Sequence, residues 1–125
     1  MKIGAPKEIA RGEARVALTP ESAKQLQKLG HECLIETGAG LAAGFNDDTY
    51  RDAGVTVVDS ADALWRDAEV VIKVREPSDE EAERLREGQT LIAFFWPAQN
   101  EALLEKCKAQ GATVIAMDMV PRISR

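Results

Sequence analysis

Short β-branched runs alternate with helix-like periods along the whole chain. The apolar runs predict six strands, at residues 2–5, 32–36, 55–58, 69–74, 90–94 and 113–117. Residues 14–18 are a further candidate for a short extended segment. Two runs, 70–72 and 91–94, are apolar throughout, which is typical of central strands covered on both faces.

Helix start and stop signals fill the intervals between these strands. The predicted starts are Thr19 followed by Pro20, Asn46 or Asp47, Ser60, Ser78 with Glu81 as a capping box, and Asn100. Strand–helix alternation with short loops predicts βαβ units. We therefore expect an α/β, Rossmann-like or flavodoxin-like, doubly wound fold, with a mostly parallel sheet and helices on both faces. Residues 1–125 suit one such domain or part of a larger one.

Composition narrows the function classes. Apolar residues make up 45% and charged residues 30%, which is ordinary for a globular protein. No apolar run approaches the roughly 20 residues that span a bilayer, and the start lacks a signal-peptide stretch, so a cytoplasmic chain is expected. A net charge of −5 without a basic stripe argues against nucleic-acid binding. Cys33 and Cys107 form no CxxC pair and are predicted to be reduced and structural; no metal-binding cluster is evident.

Two cations are candidates for an anion site. Lys73 interrupts an apolar strand near its carboxyl end, where α/β sheets meet their ligands. Arg15, in the segment 13–18, has a similar setting. Together they can clamp a small carboxylate, since arginine binds that group bidentately. The alternatives are that Lys73 snorkels at a sheet edge and that each cation pairs with Asp or Glu.

Three loops also carry possible chemistry. Residues 38–40 (GAG) match a dinucleotide fingerprint weakly, and a tight turn explains them better because no helix opens there. Residues 94–100 combine aromatic side chains with the amides of Gln99 and Asn100; core packing and a helix cap account for part of them. Residues 121–125 follow the last strand and carry Arg122 and Arg125 where a ligand crevice is expected.

These segments give the chain a recognisable pattern. It resembles the N-terminal domain shared by alanine dehydrogenase and the alpha subunit of proton-translocating NAD(P) transhydrogenase. The resemblance rests on residues 2–8 (KIGAPKE), 13–20 (EARVALTP), 38–40 and 72–74 (IKV), and it covers essentially the whole chain. Alanine dehydrogenases place a catalytic histidine after the strand at 90–94, and this chain has Trp96 there. Indole has no proton that titrates near neutral pH, so Trp96 favours the transhydrogenase branch. Residues 96–100 and 117–125 are similar to that branch too.

The resemblance implies a function for a larger protein. The transhydrogenase passes a hydride between NAD(H) and NADP(H), which is held on a partner domain, and couples this transfer to proton translocation. The chain would be the N-terminal part of the NAD(H)-binding domain I, with the dinucleotide-binding domain beyond residue 125. It would bind neither cofactor tightly and would be inactive alone. Its implied partners are the rest of the alpha subunit, the NADP(H)-binding and transmembrane parts, and a second copy in a homodimer, at the cytoplasmic side of the membrane.

The resemblance also assigns residues. Arg122 maps onto the arginine of the nicotinamide-facing loop, with a catalytic and cofactor-binding role. Arg15 and Lys73 match substrate-binding positions of alanine dehydrogenase, and their role in a transhydrogenase stays open, as does that of Gln99. Two alternatives are kept: part of an alanine dehydrogenase or related amino-acid dehydrogenase, and a non-catalytic α/β interaction module.

Overall fold

The alternation of elements is observed directly. The structure is a computed structural model that describes residues 1–9, 12–94 and 97–117, without the side chains of residues 97–100. The strands are β1 (Lys2–Ala5), β2 (Glu32–Glu36), β3 (Thr56–Val58), β4 (Val70–Ile72), β5 (Thr90–Ala93) and β6 (Thr113–Ala116). The helices are α1 (Pro20–Lys28), α2 (Asp47–Asp52), α3 (Ala61–Asp67), α4 (Asp79–Arg84) and α5 (Pro97–Ala109), with a 3₁₀ turn at Leu41–Ala43.

The six strands form one sheet in the order β3-β2-β1-β4-β5-β6. Every neighbouring pair is parallel. This is the doubly wound order of the Rossmann fold, and it confirms the predicted fold class. The observed strands are slightly shorter than the apolar runs that predicted four of them, and residues 14–18 form no strand.

Side-chain caps start most of the helices as predicted. The observed caps are Thr19, Asn46, Ser60 and Ser78, with capping boxes at Thr19 and Ser78. The start predicted for the last helix was wrong, because α5 begins at Pro97 and Asn100 lies inside it. Proline is well suited to the first helical position, where no backbone N–H is needed.

The helices cover two faces of the sheet. On the first face, α1 and α2 contribute Ala23 and Tyr50 to a core with Cys33 and Ile35 of β2. On the second face, α3, α4 and α5 pack against the alternate strand residues; this core contains Leu64, Trp65, Ala82, Cys107, Leu34, Val71 and Leu91. The buried hydroxyl of Tyr50 donates to the carbonyl of Leu18 at 2.7 Å. The loop that carries Arg15 is thereby anchored to the first face.

Two further predictions concern the cysteines and the membrane. Cys33 and Cys107 are free and buried, one in each core. Within the described ranges, none of the helices combines the length and the apolar character that a bilayer crossing requires.

Candidate functional site

The strand order reverses between β1 and β4, and this reversal positions the candidate site. The two strands are neighbours, paired through Ile3 with Val70 and Gly4 with Val71. Their connections leave toward opposite faces, which opens a crevice at the carboxyl edge of the sheet. The segment after β1 carries Glu8, and the segment after β4 carries Lys73 and Arg75.

Lys73 is a buried cation at this edge. Its backbone N–H donates to the carbonyl of Ile92 at 2.9 Å, so it continues the ladder of β4. Its side chain is 1% exposed, and its Nζ lies 3.0 Å from Oε1 of Glu8, whose side chain is 2% exposed. A buried ammonium is tolerated only when it is paired and hydrogen-bonded. Glu8 is therefore what allows a lysine at the end of a central strand.

Glu8 also binds the backbone that follows β4. Its Oε2 accepts the N–H of Val74 at 2.8 Å, and its Oε1 accepts the N–H of Arg75 at 3.2 Å. With the bond from Lys73, three donors from one loop converge on this carboxylate. The loops after β1 and β4 are therefore held together by one side chain.

Glu81 of α4 is the third member of this buried group. Its Oε2 lies 3.4 Å from Nζ of Lys73, and its Oε1 accepts the N–H of Ser78 at 2.9 Å in the capping box. Burial raises the pKa of Glu81 above its usual value, against the opposing effect of the Lys73 charge. Two carboxylates thus share one ammonium in the Glu8–Lys73–Glu81 cluster, and the raised pKa of Glu81 favours its protonated form.

A second ion group lies outside the cluster, around Glu13. Nε and Nη2 of Arg15 donate to the two carboxylate oxygens of Glu13, each at 2.9 Å. Hydrogen bonds from Arg15 lower the pKa of Glu13 to about 2. Nη1 of Arg75 lies 3.7 Å from the same carboxylate. The side chain of Arg15 is nevertheless 70% exposed, so its guanidinium is accessible from solvent.

Arg15 and Arg75 line an open cleft together with Val74 and Phe94. The cleft has a volume of about 360 Å³, which is within the range of small-molecule sites. Two guanidinium groups beside an aromatic ring suit an anion that carries a flat or apolar part. The cleft can therefore bind and orient such an anion.

A side chain of the protein itself occupies the glycine turn at residues 38–40. The N–H of Gly38 donates to Oδ1 of Asp47 at 2.9 Å, so the carboxylate of the protein itself occupies the anion position. A Cβ on Gly40 would lie 2.6 Å from the ring of Tyr50 and 2.8 Å from the carbonyl of Phe45. Close packing on Tyr50 thus accounts for the glycine at position 40, in agreement with the tight-turn interpretation.

The predicted site residues lie in different places. Lys73 lies in the buried cluster, whereas Arg15 lines the cleft. Each of them pairs with a glutamate, which is one of the alternatives to a carboxylate clamp that the sequence left open. Arg122 and Trp96 lie outside the described residues. Gln99 lies in α5, and its side chain is outside the described part of the structure. The role of each of these residues stays a prediction.

Sequence reasoning missed Glu8, Glu13 and Arg75, and it identified Glu81 only as a helix cap. One signal was available for the first of them. A lysine inside an apolar strand requires a carboxylate partner, and Glu8 follows β1 at the same edge of a parallel sheet. Nothing in the local pattern shows that Glu81 turns inward.

The comparisons with known proteins agree on one family. A family model described as alanine dehydrogenase/PNT, N-terminal domain matches residues 4–125. The chain is 70% identical over 125 residues to the NAD(P) transhydrogenase subunit alpha of Cereibacter sphaeroides, covering 100% of this chain and 24% of that protein. The chain therefore spans about a quarter of the length of that relative.

Two solved structures share the fold. A transhydrogenase from Sinorhizobium meliloti has a TM-score of 0.92 at 36% identity, covering 99% of this chain and 37% of that one. An L-alanine dehydrogenase has a TM-score of 0.88 at 42% identity, covering 93% of this chain and 32% of that one. The fold alone therefore does not separate the two enzymes.

The first prediction concerns the Glu8–Lys73 pair. Lys73→Met leaves two carboxylates buried without their cation, and we expect a loss of about 3–5 kcal/mol in the free energy of unfolding. Glu8→Gln should be destabilising too, and the double variant should lose clearly less than the sum, as measured by urea denaturation. Arg51→Met, which removes the exposed pair with Asp48, serves as the control and should cost less than about 1 kcal/mol. Additive losses would contradict a coupled pair.

The second prediction concerns Glu81 and pH. Because its pKa is raised on folding, the folded state holds a proton that the unfolded state has already released. The contribution of Glu81 to stability should therefore fall as the pH rises from 4.5, the ordinary pKa of a glutamate, to the raised pKa of the folded state. Glu81→Gln should remove this decline when the free energy of unfolding is measured across that window. The exposed neighbour Glu80→Gln is the matched control, and parallel curves for the wild type and Glu81→Gln would refute the prediction.

Proposed function

The chain belongs to the family of alanine dehydrogenase and PNT N-terminal domains, and within that family we propose that it is the N-terminal part of a proton-translocating NAD(P) transhydrogenase alpha subunit. The observation that carries this proposal is the 70% identity, over the full length of the chain, to a protein of that name. The larger protein would transfer a hydride between NAD(H) and NADP(H) and couple that transfer to proton translocation. We call that full-length protein the parent polypeptide.

The position of the histidine in this chain supports the transhydrogenase branch of the family. His31 is the one histidine in the chain. It precedes the first residue of β2, at the amino edge of the sheet, whereas the crevice is at the carboxyl edge. His31 is therefore badly placed to act as the acid–base group of an amino-acid dehydrogenase. Hydride transfer between two nicotinamides requires positioning and no such group.

In this proposal the chain supplies one wall of an NAD(H) site. It is the N-terminal part of domain I, and the dinucleotide-binding domain with the glycine fingerprint lies elsewhere in the parent polypeptide. The closed turn at Gly38 supports this division, because Asp47 already occupies its amide. We expect NAD(H) to bind weakly to the chain alone and NADP(H) to be held by a partner domain. The assembled protein would be homodimeric in this region and peripheral to the cytoplasmic side of the membrane.

We assign the residues different tasks. Lys73 is structural, since its ammonium is buried between Glu8 and Glu81. Arg15 is exposed in the cleft and is available to orient a bound anion. Arg122 is assigned to the loop that faces the nicotinamide, on the strength of its match to the family motif. No amino acid has to be held in a transhydrogenase, so the clamp of Arg15 with Lys73 is not required.

The third prediction tests the reaction. The parent polypeptide, assembled with its NADP(H)-binding partner, should reduce a thio analogue of NADP⁺ at the expense of NADH. Pyruvate and ammonium should produce no NADH oxidation above background. The reverse pattern, pyruvate-dependent NADH oxidation without transfer to the NADP⁺ analogue, would identify an amino-acid dehydrogenase. Absence of both activities in a folded assembly would favour a non-catalytic module.

The fourth prediction tests Arg122. Arg122→Ala in the same assembly should slow hydride transfer in single turnovers by at least about tenfold, while NAD(H) affinity changes less, because the arginine acts where the nicotinamide reacts. Arg51→Ala, an exposed arginine on α2, is the matched control and should leave both quantities unchanged. An unaltered single-turnover rate in Arg122→Ala would contradict the role assigned to Arg122.

A further inference from the structure

Glu13 lies between the two arginines that line the cleft. Its Oε1 is 2.9 Å from Nη2 of Arg15 and 3.7 Å from Nη1 of Arg75. Both guanidinium groups therefore reach the same carboxylate oxygen. Two cations in such proximity repel each other unless an anion lies between them. Glu13 thus stabilises the arrangement in which Arg15 and Arg75 line one cleft.

The pairing of Glu13 with Arg15 uses one particular edge of the guanidinium. Nε and Nη2 of Arg15 each donate to the carboxylate at 2.9 Å, which is the side-on mode of bidentate pairing. A guanidinium has five N–H groups, and the side-on mode uses two of them. The end-on edge, formed by Nη1 and Nη2, keeps the others. Arg15 can therefore bind a second acceptor group through this edge without leaving Glu13.

Burial gives the two partners different roles. The side chain of Glu13 is 4% exposed, whereas that of Arg15 is 70% exposed. The carboxylate also accepts the backbone N–H of Arg15 at 2.9 Å, so it is held at both the backbone and the side chain of this residue. An arginine loses rotamer freedom when it binds a ligand, and the contact with Glu13 removes part of that freedom beforehand. Glu13 is therefore suited to hold Arg15 ready for a ligand.

The fold anchors the loop that carries both residues. Val16 and Leu18, which follow it, are buried in the core of the first face. The carbonyl of Leu18 accepts the hydroxyl of Tyr50 at 2.7 Å. The position of Glu13 is therefore set by the packing of the protein and does not require a ligand.

We propose that Glu13 is a positioning residue of the cleft, which holds Arg15 side-on so that the end-on edge of the guanidinium meets the ligand. This inference rests on the proposed function, in which NAD(H) is that ligand. The group opposite the end-on edge would be an oxygen acceptor of the dinucleotide, in its diphosphate or in its carboxamide. Glu13 itself would act through Arg15 and would not contact the ligand.

A purely electrostatic role of Glu13 would have the opposite sign. Its carboxylate is an anion beside the cleft, and it repels a negatively charged ligand. If repulsion were its main effect, removal of the charge would tighten binding. Loss of positioning weakens binding instead. The direction of the change in affinity therefore separates the two roles.

The fifth prediction tests this role by calorimetric titration of the parent polypeptide with NADH. Glu13→Gln and Arg15→Ala should each weaken binding by at least about fivefold, and the double variant should bind no more weakly than Arg15→Ala, because Glu13 acts through Arg15. Glu83→Gln, which removes an exposed pair with Lys106, is the matched control and should bind like the wild type. Tighter or unchanged binding in Glu13→Gln, unchanged binding in Arg15→Ala, or additive losses would overturn the proposal.

Chemical rescue tests the same role when Glu13→Gln fails to fold. Arg15→Ala leaves the carboxylate of Glu13 without its side-on partner, and millimolar ethylguanidine should take that place and strengthen NADH binding by at least about threefold. Ethylammonium is the matched control, because it carries the same charge without the planar pair of donors. Equal rescue by the two cations, or rescue by neither, would overturn the proposal.

A titration with ADP-ribose identifies the acceptor group, since this molecule has the diphosphate but lacks the nicotinamide. If Glu13→Gln weakens ADP-ribose and NADH equally, the contact is with the diphosphate. If it weakens NADH alone, the contact is with the carboxamide, and both results support the role of Glu13. None of these titrations measures hydride transfer, so a failed transhydrogenase assignment and a failed role of Glu13 give different results.

Discussion

A buried lysine at the reversal of strand order is the constraint on which this structure depends. Lys73 ends a central strand, and its ammonium cannot remain there without an anion. Glu8 supplies it and accepts two backbone N–H groups from the same loop. The two halves of the sheet meet where β1 pairs with β4, and α3 packs closely on β1 there, since a Cβ on Gly4 would lie 2.9 Å from side-chain atoms of Leu64 and Ala68. The Glu8 carboxylate thus holds together the two loops, after β1 and after β4, that flank the crevice.

The same arrangement divides the charges of the site into two groups with different tasks. The Glu8–Lys73–Glu81 cluster is buried, and its low-dielectric setting makes it rigid and unavailable to a ligand. Glu13 holds Arg15 and Arg75 at the surface, where a guanidinium can still reach a ligand. An acidic chain, with a net charge of −5, therefore presents a locally cationic cleft. The buried cluster positions the loop that carries Arg75, and the exposed group meets the solvent.

Local signals were sufficient for the fold and insufficient for the site. Caps such as Thr19 and Ser78 act within one helical turn, so the sequence predicts them directly. The predicted start of α5 was wrong because Asn100 is a valid local cap signal, whereas the helix begins three residues earlier at Pro97, which suits the first helical position. Glu8 and Lys73 are 65 residues apart, and only the parallel arrangement of β1 and β4 brings them together. Arg15 was identified, but its pairing with Glu13 and its exposure depend on tertiary structure.

The most informative disagreement concerns β4 and β5. Their uninterrupted apolar runs predict strands covered on both faces. Val71 and Leu91 are fully buried under the second face, whereas Ile72 is half-buried against the first-face core and Ile92 is half-buried as well. Parallel strands are normally buried on both faces, so the apolar residues on each side of β4 and β5 fit central positions in the sheet. The cleft lies at the end of these same strands, since Val74 follows β4 and Phe94 follows β5. Its lining therefore combines the apolar edge of the sheet with the guanidinium groups of Arg15 and Arg75, which suits an anion that carries an apolar part.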